Sequence, residues 1–518
     1  MKSKLCSLIF IAITIAANGQ TQNINKVAKI SSRGGGAIMH DNQVKGYFSF
    51  VQLEKIDAKT NNYQLSLVDE NLRAINSIEI KRPTNYSLID GAFNGQAFCF
   101  LFFNSTLKTI EFITYDRTLT QIGTFIRTIQ NKNDLRLFRM LAAGTASLQQ
   151  AYLIGIKDKG FLYYGRADKG LVYRTDFFDN NLKKIWTDES TNVKEVEAGS
   201  DGFQQGDYIG TLITKQKTAT SKDMSIDLLV QEVLTGKKLF RIPIQTSQHS
   251  VTFSDVYYDS VAKTFTVLGE YYYKEAKELK DQSLGLIAIT YDFTGKIVNQ
   301  KTNSWAKEIG SVIPVNDKGK FDGTNSRIIF HDFIRTADGQ FFAIGEQYKK
   351  ATNGGAVAAN LILAPLLGVY TSSTQLNIYN LVIFEFNPDF AIKSAHIFEK
   401  DMNHVMMPVG SSMTNPKQLS FMLKAVGGFD YKYTQESADN ETFVVAYINF
   451  DKEKGQASTN VLGSVIYTPE KKFTVDKMPL KRSTSEYFVA RAKEGYVLVT
   501  EYFRKEKRLE SRLEKLNY

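Results

Sequence analysis

The sequence contains little cysteine and proline, and both shortages limit the fold. Cys6 lies in an apolar N-terminal stretch, so Cys99 has no partner for an intramolecular disulfide and is expected to be buried within "QAFCFLFF". Only 9 prolines stand against 35 phenylalanines and 26 tyrosines, and this balance favours β-strands. The 518 residues exceed one ordinary hydrophobic core, which leaves several domains or a repeated architecture.

Recognisable catalytic and cofactor motifs are also missing. The "RGGGA" at residues 33–37 lacks the Gly-Lys-Ser/Thr of a phosphate-binding loop, and no Gly-x-Ser-x-Gly elbow occurs. Neither "DNETF" nor "DKEKG" has the order of a calcium loop. No two of the five histidines have the close spacing of metal ligands. We therefore predict no metal and no cofactor, and the sequence identifies no catalytic residue.

The N-terminus has the pattern of a secretory signal peptide. Lys2 and Lys4 precede an apolar run from Leu5 to Ala17, and the small residue Gly19 stands before Gln20. We expect residues 1–19 to be removed, which makes the protein secreted, periplasmic or part of the cell envelope. The formal charge of +10 then becomes about +8 (10 minus the two lysines), and nucleic acid is not expected as a partner.

Short strand patterns repeat along the chain. "KTFTVLGEYYYK" at 263–274 matches "GQFFAIGEQYKK" at 339–350, and "GYVLVTEYFRK" at 495–505 is a third copy. The repeat places Glu270, Glu346 and Glu501 at one position of three units. Two interpretations remain open: a set of carboxylates that binds a cation or raises one another's pKa, and a structural hydrogen bond between units.

Hairpin patterns with polar turns indicate a β-propeller. Their turns fall near residues 70, 117, 180, 235, 294, 389 and 453, mostly about fifty to sixty residues apart, which is room for one four-stranded antiparallel sheet. We predict seven or eight antiparallel blades over 46–518, after a lead-in at 20–45. The C-terminal strands from Tyr487 are expected to pair with an incomplete first unit at 46–80. Two β-sandwiches, and a helical tail through Leu509, Leu513 and Leu516, are the alternatives.

With these repeats the chain resembles uncharacterised, secreted propeller-like proteins of Gram-negative bacteria. The resemblance covers nearly all of the chain after residue 19, and it lies in the architecture and the blade pattern. It implies a β-propeller fold and export, and it implies no active-site residue.

One apolar run interrupts this pattern. "AVAANLILAPLLGVY" at 356–370 is too short to cross a bilayer about 30 Å thick. We predict that 351–378 is an insertion between two strands of one blade. Its apolar side chains are candidate binding residues, namely Leu361, Leu363, Leu366 and Tyr370. The segment could cap the propeller, line a ligand pocket, or dock on a partner or a membrane surface.

The sequence thus predicts an exported binding or scaffolding propeller of the cell envelope. The expected partner is a protein or glycan of the envelope, with membrane-surface contact through 356–370 as an additional role. The alternative is a hydrolase acting on glycans or peptides with carboxylates in the propeller channel. An acidic cluster in the channel would favour the hydrolase, and a plugged channel would favour the scaffold.

Overall fold

The computed structural model describes residues 21–30, 34–40, 43–143, 151–192, 194–218, 224–276, 281–354, 372–409, 411–425, 427–451, 459–480 and 486–517. Within these residues the chain forms eight antiparallel sheets, which are the eight blades of a β-propeller. The predicted fold is confirmed, and the number of blades is eight. Among the described residues, no helix is both long enough and apolar enough to cross a membrane.

The strands follow one another blade by blade. After β1 (Thr21–Ile24), the first four blades are built in chain order from β2 (Val27–Lys29), β3 (Gly35–His40), β4 (Gln43–Asp57), β5 (Thr60–Asp69) and β6 (Ala74–Pro83); β7 (Tyr86–Phe93), β8 (Ala97–Asn104), β9 (Thr109–Asp116) and β10 (Gln121–Thr128); β11 (Leu153–Ile156), β12 (Gly160–Arg166), β13 (Tyr173–Phe178) and β14 (Lys184–Glu189); β15 (Val196–Gln205), β16 (Tyr208–Gln216), β17 (Met224–Glu232) and β18 (Lys238–Pro243).

Blades 5 to 8 complete the ring. They are built from β19 (His249–Asp259), β20 (Thr264–Tyr273), β21 (Gly285–Tyr291) and β22 (Ile297–Ser304); β23 (Arg327–Arg335), β24 (Phe341–Thr352), β25 (Thr374–Phe386), β26 (Ile392–Phe398) and β27 (Asn403–Met406); β28 (Tyr431–Glu436), β29 (Phe443–Asp451), β30 (Thr459–Thr468) and β31 (Lys472–Pro479); β32 (Glu486–Arg491), β33 (Tyr496–Phe503) and β34 (Arg508–Lys515). Helix α1 (Lys132–Ala142) lies between blades 2 and 3, a π-helical turn (Trp305–Ile309) follows blade 5, and a 3₁₀ turn (Ser411–Met413) and helix α2 (Pro416–Ala425) lie between blades 6 and 7.

Hydrophobic packing between neighbouring blades holds the ring together. The second strand of blade 2, β8, is buried at every position, because its two faces pack against the blades on either side. The outermost strand β6 instead has only exposed and half-buried positions. Shared clusters join successive blades all the way round, and the last one packs Val44 and Tyr47 of blade 1 against Leu498 and Leu513 of blade 8. Ring closure therefore removes both apolar faces of each sheet from water.

The N-terminal strand closes the ring, which corrects two predictions. β1 pairs with β34 as the outermost strand of blade 8, while β2 and β3 form the innermost edge of blade 1. The described residues of this region, 21–30, 34–40 and 43–45, are therefore part of the propeller rather than a lead-in. The C-terminal strands are completed by Thr21–Ile24 and not by 46–80, which lie in a complete first blade. The alternative of a helical tail is also wrong, since Arg508–Lys515 is a strand.

Polar turns connect the third and fourth strands of several blades, as the sequence predicted. In each, an aspartate Oδ1 accepts hydrogen bonds from the backbone N–H groups two and four residues later, which fixes the turn. These residues are Asp69, Asp116, Asp179 and Asp292. The predicted hairpin with its turn near residue 453 does not join a third strand to a fourth. It joins the second and third strands of blade 7, β29 and β30. The sequence pattern does not distinguish these two kinds of hairpin, because both join apolar strands through polar residues.

Candidate functional site

Blade 6 projects beyond its neighbours on the face that carries the connections between blades. β24 and β25 remain paired as far as Thr352 and Thr374, and β27 adds a further strand along Gln375–Ile378. Both ends of the predicted insertion 351–378 are therefore paired strand residues. The segment between the two strands runs from 353 to 373 and is shorter than predicted. We call these paired strand ends, together with the connection 399–430 that carries α2, the blade 6 extension.

Local signals in the sequence start and stop helix α2. The Asn415 side chain accepts a hydrogen bond from the Lys417 N–H at 2.9 Å, and Pro416 occupies the first turn, where no donor is needed. The chain leaves the helix at Gly427, whose φ of +66° suits glycine. The N-terminal cap at Asn415 and the glycine at 427 therefore determine where the helix begins and ends.

A small core holds the blade 6 extension together. It combines residues of the strands, of β27 and its flank, and of α2: Ile329, Tyr348, Leu376, Ile378, Val405, Met407, Leu419, Leu423 and Phe429. Lys350 Nζ donates to the carbonyl of Thr414 at 2.9 Å and also to the carbonyl of Ser412. The extension is thus a packed unit.

The outer surface of this unit carries exposed apolar side chains, interspersed with the exposed polar residues Asp401, His404 and Ser412. Val405 points into the small core, so the alternation of the strand turns Met406 outwards. Exposed apolar side chains continue along the connection and onto α2, and Met413 is 94% exposed. We call this surface the methionine patch, consisting of Met402, Met406, Val409, Met413, Phe421 and Met422. Our sequence interpretation missed it, although five of the ten methionines lie between residues 402 and 422.

The described residues that flank the apolar run of the insertion lie beside this patch. The Asn353 N–H donates to the Ser373 carbonyl at 2.8 Å, Asn353 Nδ2 lies 3.6 Å from Met406 Sδ, and Ser372 Oγ donates to the Pro408 carbonyl at 3.4 Å. Four candidate residues of the run lie outside the described residues, namely Leu361, Leu363, Leu366 and Tyr370. The described residues on both sides of the run, 353 and 372–373, therefore lie next to the methionine patch.

The three repeated glutamates all lie on the second strand of their blades. Glu270 and Glu346 share one register: each follows a glycine whose partner on the innermost strand precedes a β-bulge, at 253–255 in blade 5 and 330–332 in blade 6. Glu501 lies on β33, opposite Tyr487 of a strand without such a bulge. The sequence repeat therefore corresponds to a structural repeat between blades 5 and 6, and less closely in blade 8.

Each glutamate faces its own cation. Glu270 contacts Lys417 of α2 and accepts a hydrogen bond from Ser283 Oγ at 2.7 Å. Glu501 is fully buried and contacts Arg512 of the neighbouring strand. These ion pairs favour the structural interpretation of the repeat over a shared cation site.

Glu346 lies in the most deeply buried charged cluster of the described chain. Its Oε1 is 2.9 Å from Lys400 Nζ, and its Oε2 is 3.1 Å from His331 Nε2. Burial alone would raise the pKa of Glu346, but Lys400 and His331 outweigh it and lower that pKa to about 2. Burial lowers the pKa of His331, although the adjacent Glu346 carboxylate opposes that shift.

Helix α2 reaches the innermost strands beside the central channel. Lys417 Nζ contacts Thr252 Oγ1 of β19, and Lys424 Nζ donates to the Phe330 carbonyl of β23 at 2.7 Å. Burial and the negative charge of Asp332 raise the pKa of nearby Asp255 to about 7. The helix therefore covers the channel wall at blades 5 and 6 with two lysines.

A cavity of about 280 Å³ opens between blades 7, 8 and 1 on the opposite face. Three carboxylates line it, namely Glu70, Glu436 and Glu494. Burial and the charge of Asp332 raise the pKa of Glu436. Within the described part of the chain, no three His, Cys, Asp or Glu residues are grouped so as to hold a metal ion.

The comparisons with known proteins give the family and no function. The chain belongs to a family of unknown function, DUF6770, whose model matches residues 1–517. No curated protein matches the chain.

Solved β-propeller structures are similar to the chain at low identity. The propeller domain of the trilobed protease from Pyrococcus furiosus is 11% identical, with a TM-score of 0.34 over 89% of this chain and 98% of that one. Prolyl oligopeptidase B from Galerina marginata is 10% identical, with a TM-score of 0.39 over 92% of this chain and 55% of that one, so the chain spans about half of its length. An ulvan lyase is 11% identical, with a TM-score of 0.37 over 82% and 91%. At these values the likeness carries no argument about function.

Proposed function

For this member of the DUF6770 family, we propose a binding or scaffolding role in the cell envelope, in which the methionine patch of blade 6 docks an apolar segment of a partner protein. The methionine patch is the observation that supports this proposal, because six apolar side chains are exposed on one packed unit. Methionine side chains are flexible and polarisable, so they adapt to apolar surfaces of different shapes. The described residues that flank the sequence 356–370, Asn353 and Ser372, lie beside Met406 and Pro408.

The charges of the extension favour a protein partner over a lipid surface. Attachment to anionic lipid requires free cationic side chains around the apolar residues. The lysines of the extension are instead engaged within the protein: Lys349 with the Thr324 carbonyl, Lys350 with Ser412 and Thr414, Lys417 with Glu270, and Lys424 with the Phe330 carbonyl. Direct apolar contact with a protein needs no such charges.

Site-specific photocrosslinking in the producing cells tests this role. A photoreactive residue at Met406 or Met413 should capture one discrete envelope protein. The matched control is Val261, which is 93% exposed in the loop between β19 and β20 on the opposite face and should capture nothing. Met406→Glu with Met413→Glu should abolish capture and leave the melting temperature unchanged. Equal capture from Val261, or binding to protein-free liposomes that explains the attachment, would contradict the proposal.

A hydrolase remains the second candidate, because of the cavity that contains Glu436. Glycoside hydrolysis needs a carboxylic acid of raised pKa close to a second carboxylate, and this cavity provides Glu436 together with Glu70 and Glu494. A screen of glycans and peptides with the wild type, Glu436→Gln and the control Glu506→Gln tests it. Turnover that only Glu436→Gln abolishes would establish the hydrolase, and absence of turnover by the wild type would count against it.

A further inference from the structure

Three buried side chains meet where the connection 399–430 leaves blade 6 and enters blade 7. Glu346 comes from β24, Lys400 follows β26, and Asp430 precedes β28. Their side chains are 0%, 1% and 2% exposed, respectively. Lys400 Nζ lies 2.9 Å from Glu346 Oε1 and contacts Asp430 Oδ2. The lysine thus touches two carboxyl groups that are almost completely shielded from water.

Hydrogen bonds hold the two carboxyl groups in fixed orientations. Asn403 Nδ2 donates to Asp430 Oδ1 at 2.7 Å, and Asn449 Nδ2 donates to Asp430 Oδ2 at 3.2 Å. The Tyr431 N–H donates to Glu346 Oε2 at 3.1 Å. Glu346 Oε1 and Asp430 Oδ2 therefore face Lys400, while the Asn403 amide polarises the Asp430 carboxyl group from its other side.

Burial favours the protonated form of Asp430, whose carboxyl group also interacts with the charge of neighbouring Lys432. Burial raises the pKa of Asp430, whereas the surroundings of Glu346 keep that group ionised. A protonated carboxyl group is also the form that an amine can attack, because the oxygen that departs leaves as water.

We propose that Lys400 Nζ and Asp430 Cγ form an intramolecular amide bond, with Glu346 relaying the protons. Glu346 accepts a proton from the ammonium group, and the free amine attacks Asp430 Cγ. Asn403 Nδ2 donates a hydrogen bond to the oxygen that gains negative charge. The new C–N bond replaces one C–O bond, and the departing oxygen takes two protons, so one water molecule is released and no oxidant or other reactant is needed.

The fold favours formation of this amide bond in two ways. Contact between the reacting groups converts a reaction between two molecules into one within a single chain, which gives a high effective concentration. The amide also removes an ammonium and a carboxyl group from a buried site where both are costly. The bond would join the two ends of the connection that carries α2 and the methionine patch. It goes beyond the proposed docking function and does not depend on it.

A second buried lysine provides an internal comparison. Lys417 contacts Glu270, Tyr272 and Thr252, and only one of these three is a carboxylate. Among the residues that the structure describes, no second carboxyl group contacts this pair to relay protons. We therefore expect one amide bond in the chain and not two.

Mass spectrometry of the purified full chain tests the proposal. The denatured protein should be lighter than its sequence by one water molecule. Trypsin should not cut after Lys400, and a branched peptide should join residues 394–417 to residues 425–432. A mass equal to the sequence, with ordinary cleavage after Lys400, would overturn the proposal.

Variants separate the amide bond from a buried ion pair. Glu346→Gln cannot accept the proton and should keep the full mass of its sequence. Asp430→Asn should still react by releasing ammonia, so its product should have the same mass as the cross-linked wild type. Lys417→Arg is the control and should still lose one water. An Asp430→Asn protein without the cross-link would contradict the mechanism, and so would a Glu346→Gln protein that contains it. If Glu346→Gln does not fold, the masses of the wild type and of Asp430→Asn test the proposal.

Discussion

Glu270 and Glu346 occupy the same register on the second strands of consecutive blades, beside equivalent β-bulges, but they face different cations. Glu270 pairs with Lys417 of α2, and Glu346 pairs with Lys400 at the start of the same connection. Both pairs anchor the connection 399–430 to the ring, one at its start and the other at helix α2 in its middle. Two copies of the sequence repeat therefore each supply a glutamate that binds a lysine of the same connection.

The Glu270–Lys417 pair should contribute measurably to stability. Glu270→Gln leaves the buried ammonium of Lys417 without its anion, and we expect a loss of about 1–3 kcal/mol in the free energy of unfolding. Chemical denaturation of the wild type and the variant measures it. Glu275→Gln is the control, because Glu275 is exposed in the loop after β20 and its change should stay within about 0.5 kcal/mol. Equal effects of the two substitutions would show that the pair is neutral.

Asp255 should make stability depend on pH in a defined direction. Its pKa of about 7 in the folded protein lies above the ordinary aspartate value of about 3.9, so folding favours the protonated form. That contribution is complete below about pH 4, declines as the pH rises, and is lost above about pH 7. Asp255→Asn should therefore stabilise the protein relative to the wild type at pH 7.5 more than at pH 4.5. A difference in melting temperature that is the same at both pH values would contradict this assignment.

The insertion should be dispensable for folding. Thr352 and Thr374 are paired across β24 and β25, so a short Gly/Ser linker in place of 355–371 needs only to close a hairpin. We expect an unchanged circular dichroism spectrum and a melting temperature within a few degrees of the wild type. Loss of the cooperative transition would show that the apolar run belongs to the core. In the crosslinking experiment the same variant should show weaker capture through the methionine patch.

The N-terminal strand should be essential for ring closure. Ile24 is buried among Val51, Tyr502 and Leu509 where blades 1 and 8 meet, and Ile24→Ala should cost about 2–5 kcal/mol. Ile75→Ala is the control, because Ile75 is 59% exposed on an outermost strand and should change stability by less than about 0.5 kcal/mol. Urea denaturation distinguishes the two outcomes. A neutral Ile24→Ala variant would mean that β1 contributes little to closure.

Export remains a prediction from the N-terminal pattern. The small residues Ala17 and Gly19 predict a mature chain that begins at Gln20 or within a few residues of it. N-terminal peptide mapping of the protein recovered from cells checks this. Retention of residues 1–19 in that protein would contradict both export and a role in the cell envelope.

The amino-acid pattern by itself determined the blades. Alternating apolar residues, polar turns with aspartate and a spacing of about fifty to sixty residues are local properties, and blades 1 to 7 each form from contiguous sequence. The repeated Gly-Glu pattern likewise located Glu270 and Glu346 on equivalent strands. These features follow from neighbouring residues, so they can be recognised without knowledge of distant contacts.

Tertiary structure alone decided how the ring closes and what each glutamate does. Thr21–Ile24 pairs with a strand almost 500 residues away, and so short a segment carries no sign of its partner. The approach of Lys400, Asp430 and Glu346, and the outward direction of the methionines, depend on how the connection 399–430 packs across blades 5 and 6. Side chains far apart in the sequence meet only after the whole chain has folded, and for that reason the buried lysine cluster could not be derived from the sequence.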